Sequence, residues 1–407
     1  MLMSQNFVSF VQSIAASQDC WRRKRVCLTR TSDTRGVARS STGRSSQTSP
    51  VQIKSLFGDV LDWGNTGDIV VHWDAGELAR GSFGVLYRGE HRVTGAPLVI
   101  KTASAEDSFA RSLLETERYI NRKLDAGDDN DGRTASEPRR WARYVGDVRI
   151  PGTSPPVPIA RKCAPMALVW YKEGSGETLE DYLSAKPAGS LASALGTSDF
   201  SAGSVRLFRS SFRRVVGELL KALVQLQERG IIHRDVKPAN ILVVPRASDS
   251  APLKLIDFGS ACDWRSIWKR GFDPNRATCD PLYAAPELFL SPLRPDRFDV
   301  FSVGLIGLRV LIPALHPEDR LRECVTLLRT RYQWDVEAWI SDQRKKASEI
   351  RPQLETLGAG DSLTQQVALI AEDPSLLHLL RAMLRESPFA RVTANRALEL
   401  YDFDGFP

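Results

Sequence analysis

The spacing of apolar positions changes along the chain, and the changes divide it. Residues 69–73, 84–88 and 98–101 are short runs of apolar, β-favouring side chains separated by Gly and Pro turns, the pattern of half-buried strands. Residues 109–124 follow with Leu113, Leu114, Ile120 and Leu124 near helical spacing, and residues 141–150 and 167–170 return to strand-like runs. Strands, one helix and more strands predict a small α+β lobe. Residues 205–229 then set Phe208, Phe212, Val215, Val216, Leu219, Leu220, Leu223 and Leu226 on one side, with Gly230 at the end, which predicts a helix. Only short strands and then helices come after it, so the second lobe is expected to be mainly α. The acidic, Gly-rich residues 125–132 and the Ala/Ser/Gly-rich residues 184–204 read as surface insertions. Residues 300–315 are apolar apart from Arg309, a stretch too short and too charged to span a bilayer, and they read as a buried helix.

Composition narrows the picture. A length of 407 residues with 42% hydrophobic content is ample for two lobes with a core of their own. The net charge of +6 is concentrated in residues 1–50, where eight Arg/Lys face Asp19 and Asp33, and the remaining 357 residues carry 47 basic and 47 acidic groups. Such balance gives no ground for a nucleic-acid partner. Cysteines 20, 27, 163, 262, 279 and 324 are scattered, with no C-x-x-C spacing, and read as reduced thiols, with Cys20 and Cys27 a redox pair only as the lesser reading. Residues 1–50, rich in Ser, Thr and Arg, have the composition of an organellar transit peptide, with plain disorder as the competing reading. Residues 51–67 read as a linker. No stretch is long and apolar enough for a transmembrane helix, which leaves peripheral association with a membrane open.

The candidate chemistry centres on His233-Arg-Asp-Val-Lys-Pro-Ala-Asn240, which sets a carboxylate, an ammonium and an amide on one short loop. Moving a phosphoryl group onto a hydroxyl needs a carboxylate to orient the alcohol and accept its proton, positive charge for the transferring oxygens, and a metal ligand. Asp235, Lys237 and Asn240 are of the right types. Asp257, at the end of the apolar run Leu253-Lys-Leu-Ile-Asp-Phe-Gly259, is a second candidate donor for a hard divalent ion. Upstream, Leu78-Ala-Arg-Gly-Ser-Phe-Gly-Val-Leu-Tyr87 lies between strand runs, where Gly81 and Gly84 allow a hairpin backbone to approach phosphate oxygens. Lys101 ends the next strand run. Of the two acids in the following helix, Glu117 is preferred to Glu115 for the side turned inward, because Ile120 and Leu124 fall three and seven residues after it and bury that face; that Lys101 has a helical Glu partner is what the resemblance named below implies.

Taken together these segments resemble the eukaryotic-type protein kinases over residues 68–404, with a small lobe at 68–170 and a large one at 175–404. The resemblance implies an α+β, bilobal protein-kinase-like fold, Mg²⁺ and ATP as cofactors, and a protein bearing Ser or Thr as substrate. It implies catalytic roles for Asp235 and Lys237 and metal binding by Asn240 and Asp257. Ala79, Gly81, Ser82, Gly84, Leu86, Lys101, Glu117, Trp170 and Lys172 would line the nucleotide site, with residues 168–174 as the hinge and Trp170 at the back of the adenine pocket. Ala79 stands where the family has its first glycine, and Leu86 where it has valine. Ala285-Pro-Glu287 would close the activation segment, in which Thr278 and Ser266 are candidate phosphate acceptors facing Arg234, and Arg391 would pair with Glu287. Cys279-Asp-Pro-Leu-Tyr283 places Asp280 where Ser/Thr kinases carry a Thr that contacts the catalytic loop.

Residues 231–240, 280–287, 295–306 and 335–339 are more narrowly similar to the chloroplast thylakoid state-transition kinases, which implies plastid Ser/Thr substrates such as light-harvesting or photosystem proteins. The alternatives are a pseudokinase-type binding scaffold and a cytoplasmic Ser/Thr kinase unrelated to photosynthesis. Lys237 argues against Tyr specificity and against a small-molecule kinase.

Overall fold

Alternation with period two builds the first lobe. The computed structural model describes residues 60–61, 69–73, 75–81, 83–130, 138–149, 163–187, 189–197, 204–245, 251–266, 279–357 and 363–404. Strands β1 (Val60–Leu61), β2 (Ile69–Val71), β3 (Glu77–Arg80), β4 (Val85–His91), β5 (Pro97–Ser104), β6 (Tyr144–Arg149) and β7 (Cys163–Tyr171) form one antiparallel sheet. Its order is β1-β2-β4-β5-β7-β6, with β3 paired to β4. In β5, Leu98 and Ile100 turn to one face and pack with Ile69, Val71, Trp73, Tyr87, Val148, Ala167 and Val169. Leu168, on the other face, joins Ala103 and Tyr144 to Ala110 and Leu114 of helix α1 (Ser108–Asn130). The stretch read as a linker therefore contributes a strand, since Val60 and Leu61 pair with Val70 and Ile69.

Helices α2 (Leu179–Ser184), α3 (Ser190–Ala194) and α4 (Ser204–Glu228) open the second lobe. The apolar side of α4 is buried from Phe212 to Leu226. It ends at Gly230, whose φ of +73° falls in the left-handed region and whose absent Cβ leaves room for the Arg265 side chain. The short strands β8 (Ile231–Ile232), β9 (Ile241–Val243), β10 (Leu253–Leu255) and β11 (Cys262–Asp263) pair as β9 with β10 and β8 with β11. Beyond them stand α5 (Phe298–Leu311), α6 (Glu318–Thr330), α7 (Val336–Leu357), α8 (Leu363–Ile370), α9 (Pro374–Met383) and α10 (Ala394–Leu400). Sequence-local caps start the last two: Asp373 accepts from Leu376 N–H ahead of Pro374, and Thr393 accepts from Arg396 N–H. The chain thus has the expected bilobal α+β fold, a curled antiparallel sheet followed by a helical lobe.

Three local expectations need correction. The helix expected to stop at Leu124 runs on to Asn130, so most of residues 125–132 extend α1 and do not form a loop. Residues 184–204 are not simply a surface insertion, because α3 sends Leu191 into the main core and buries Ala192. Strand β6 begins at Tyr144, and Trp141 instead bridges to Leu255 of the second lobe. All residues of α5 are buried, including Arg309, whose guanidinium donates to Glu180 at 2.6 and 2.8 Å and to Tyr283 Oη at 2.7 Å. Among the described residues no helix is long and apolar enough to cross a membrane.

Arg391 is fully buried and grips Glu287 through two parallel hydrogen bonds of 2.8 Å, while also donating to the Arg385, Glu386 and Arg297 carbonyls. Removing the acid strands a buried cation. Glu287→Ala is therefore expected to lower unfolding stability by about 3–5 kcal/mol, read as the shift in a urea midpoint; an unshifted midpoint would show that the carbonyls alone satisfy Arg391.

Candidate active site

Cross-strand register lines up the roof of a cleft. Ala79 opposes Leu86, Leu86 opposes Lys101, and Lys101 opposes Leu168. Directly opposed residues project from the same face, so this row shares the face that Leu168 presents to α1. Gly84 sits tight against Lys101: a Cβ there would lie 3.1 Å from Lys101 Cε and 3.3 Å from the Thr102 carbonyl. Gly81 has no such crowding and donates its N–H to the Gly84 carbonyl, closing the hairpin.

Lys101 is the meeting point of both lobes. Its Nζ lies 2.8 Å from Glu117 Oε2 on α1 and 2.8 Å from Asp257 Oδ1 of the second lobe. Glu115 is exposed and pairs instead with Arg118. Glu117 Oε1 also accepts the Phe258 N–H at 3.2 Å. Burial pushes the Glu117 carboxyl up to about 7, against the pull of the Lys101 ammonium. Burial would likewise raise Asp257, but the adjacent Lys101 outweighs it and holds Asp257 below the usual carboxylate range. The two carboxylates together raise Lys101 above an ordinary lysine despite its burial.

The loop after β8 is braced from beneath. Asp299, at the start of α5, accepts His233 N–H at 2.7 Å and Arg234 N–H at 2.8 Å, which accommodates the left-handed φ of +69° at Arg234. Burial raises the Asp299 carboxyl pKa against these donors. The His233 ring packs on Phe258 with centroids 4.8 Å apart and bonds the Ile256 carbonyl, which ties the loop to the segment carrying Asp257. Asp235 Oδ2 takes the Asn240 amide at 2.9 Å and lies 3.0 Å from Lys237 Nζ. Its Oδ1 accepts the Asp280 N–H at 3.0 Å, and the Asp280 carboxylate stands 3.7 Å from Lys237. Asp280 thus contacts the loop, at Asp235 and Lys237, as the Thr it replaces was expected to do.

The donors suit a hard cation. Asn240 spends its amide nitrogen on Asp235, which leaves its oxygen to donate, and the Asp257 side chain is 45% exposed at the cleft. Asn240 and Asp257 are tied by the Ile256 N–H to Asn240 carbonyl bond at 3.0 Å. Two oxygen donors suit a hard ion that draws its other ligands from phosphate and water.

The structure therefore joins Lys101, Glu117 and Asp257 in one contact set and Asp235, Lys237 and Asn240 in another, ties the two through Ile256, and aligns Ala79 and Leu86 with Lys101, with Gly84 packed against it and Gly81 closing the hairpin. Trp170 is on β7 beside Tyr144, with ring centroids 5.5 Å apart. Ser82 and Thr278 lie outside the described residues. Lys172 is exposed, and its N–H donates to the Pro97 carbonyl at 2.9 Å. Asn121 was missed. It is buried on α1, donates to the Glu117 carbonyl at 2.8 Å, and accepts from Trp170 Nε1 at 3.4 Å. Its signal was a polar residue inside the apolar stripe of α1, one turn after Glu117.

Residues 187–401 match the model of the protein kinase domain. The chain is 27% identical to the chloroplastic serine/threonine-protein kinase STN8 of Arabidopsis thaliana, over 74% of this chain and 66% of that protein. It is 33% identical to the chloroplastic serine/threonine-protein kinase STN7 of the same plant, over 47% of this chain and 35% of that protein. Serine/threonine-protein kinase H1 of Homo sapiens is 27% identical over 72% of this chain and 58% of its own length. The chain thus spans about two thirds of the first relative and about a third of the second.

Titration of Glu117 gives a test of this geometry. Its folded value of about 7 lies above the ordinary 4.5, so the folded state holds the proton more tightly. That contribution to stability is complete below about 4.5 and is lost as pH rises through about 7. Glu117→Gln stays neutral throughout, and it should gain on the wild type by up to about 3 kcal/mol across that window in urea unfolding. A difference that does not vary with pH would mean that Glu117 titrates as an exposed carboxyl.

Proposed function

Because the chain belongs to the protein kinase family, whose domain it matches over more than half its length, we propose that it transfers the γ-phosphoryl group of ATP to Ser and Thr hydroxyls of proteins. The observation that carries this reading is the convergence of Lys101, Glu117 and Asp257 with Asp235, Lys237 and Asn240 around one cleft. Lys101, steadied by Glu117, holds the α- and β-phosphates. Asn240 and Asp257 would hold Mg²⁺, which when bound neutralises charge on the phosphate oxygens. Asp235, fixed through both oxygens, orients the acceptor hydroxyl and receives its proton, while Lys237 faces the transferring group. Ala79 and Leu86 form the roof above the nucleotide, and the backbone beyond Trp170 faces the adenine edge.

A scaffold that only binds nucleotide is disfavoured because each charged position is filled and mutually paired. For location and substrate we infer the chloroplast and its photosynthetic membrane proteins. Two chloroplastic relatives and the Ser/Thr/Arg-rich, acid-poor residues 1–50 support this.

Radiolabelled ATP with a generic protein acceptor tests the reaction. Asp235→Asn is expected to reduce transfer by about 10²–10⁴-fold while ATP affinity is retained, since the carboxylate acts on the alcohol and not on the nucleotide. Full turnover in that variant would remove Asp235 from its role, and a wild type that binds Mg-ATP without turnover would establish the scaffold reading.

A further inference from the structure

Helix α1, which carries Glu117, is held to the second lobe at more than the Lys101 pair. Tyr119 Oη donates to Asp263 Oδ2 at 2.6 Å, and Lys123 Nζ lies 2.7 Å from the same oxygen. Tyr119 and Lys123 are four residues apart and so share one side of the helix, well round from the buried side that presents Glu117, so Asp263 and Lys101 hold α1 from different directions. The Asp263 side chain is only 4% exposed. Burial would raise its carboxyl, but Lys123, Tyr119 and the Ser266 hydroxyl outweigh burial and hold it below the usual range, so it stands as a fixed anion.

Its place in the chain gives that anion leverage. Asp263 lies six residues after Asp257 on β11, directly opposite Ile231 of β8, and β8 leads into His233 two residues later. The next residue, Trp264, donates its N–H to the Gly230 carbonyl, which continues the pairing. One buried carboxylate therefore joins the helix bearing Glu117, the segment leaving Asp257 and the strand entering the catalytic loop. Kinases must bring the Lys–Glu pair and the metal-binding Asp into place together, and a phosphate added to the activation segment commonly supplies the charge that does so.

We propose that Asp263 is a positioning residue for phosphoryl transfer, supplying from the chain itself the negative charge that docks α1 and keeps Glu117 on Lys101 without an added phosphate. Tyr119 and Lys123 are the helix's half of the contact. The proposal rests on the kinase reading above and adds to it how the cleft is held assembled.

The test uses the full chain after phosphatase treatment, shown by mass to carry no phosphate. Wild type, Asp263→Asn, Glu117→Gln and the double variant are compared, with Tyr119→Phe/Lys123→Met approaching the same contact from the helix. Unphosphorylated wild type should be active. Asp263→Asn and the Tyr119/Lys123 variant should each lose roughly tenfold to a hundredfold in kcat/KM, and each should exchange the amide hydrogens of residues 109–124 faster than wild type. Adding Asp263→Asn to Glu117→Gln should cost nothing further, because Asp263 acts through Glu117. Additive losses, unchanged exchange in α1, or a wild type active only when phosphorylated would each overturn the proposal. Should wild type bind Mg-ATP without turnover, the kinase reading fails, and exchange in α1 still decides whether Asp263 docks the helix.

Discussion

One ammonium shared by two carboxylates joins the two halves of this protein. Lys101 comes from the sheet, Glu117 from the helix laid against it, and Asp257 from the far lobe, and both contacts are 2.8 Å. A buried charge without a partner costs far more than a pair returns, so Lys101 and Glu117, which are buried, depend on each other, while Asp257 reaches the pair from a half-exposed position. Burial holds Glu117 near neutrality while Lys101 pulls it toward charge, a balance that a shift of α1 would upset. The cleft is therefore coupled to the packing of α1, and the packing residues Ala110, Leu114 and Leu168 belong to the site as much as the charges do.

The second lobe reaches the same end by different means. Here the charged groups fix backbone. Asp299 takes two consecutive N–H groups, holds Arg234 in a left-handed conformation, and lets the loop present Asp235 outward while the His233 ring packs against Phe258. Glu287 and Arg391 clamp the end of the activation segment, and Arg309 ties Glu180 to Tyr283 across α5. Two ion pairs anchored on buried arginines and one buried carboxylate bonded to backbone thus brace the second lobe.

Much of this was legible in the residues, for a physical reason. Helical spacing from Ile120 and Leu124 singled out Glu117 over Glu115, which follows from local geometry and needs no tertiary knowledge. The bilobal order was equally readable, because it is written in a change of period. What escaped were features set by tertiary contact. Asn121 looked like a flaw in an apolar stripe, and only the indole of Trp170 across the interface gives it a reason. Gly and Asp argued for a loop after Leu124, yet the helix continues to Asn130, because weak propensity does not stop a helix already nucleated and packed. The Ala/Ser/Gly-rich stretch hid α3, whose Leu191 and Ala192 are too few to register as a pattern but enough to dock.

Asp280 is where sequence departed furthest from expectation and where structure explains the departure. A Thr at this position could reach the catalytic pair with its hydroxyl; Asp280 divides the task, its backbone N–H going to Asp235 and its carboxylate toward Lys237. The first of these contacts is independent of the side chain, so the substitution leaves the hold on Asp235 intact. The second is not neutral. Lys237 now lies between two carboxylates, 3.0 Å from Asp235 and 3.7 Å from Asp280, and its pKa is raised because the two anions outweigh its burial. The ammonium is therefore held charged and centred before any phosphate arrives.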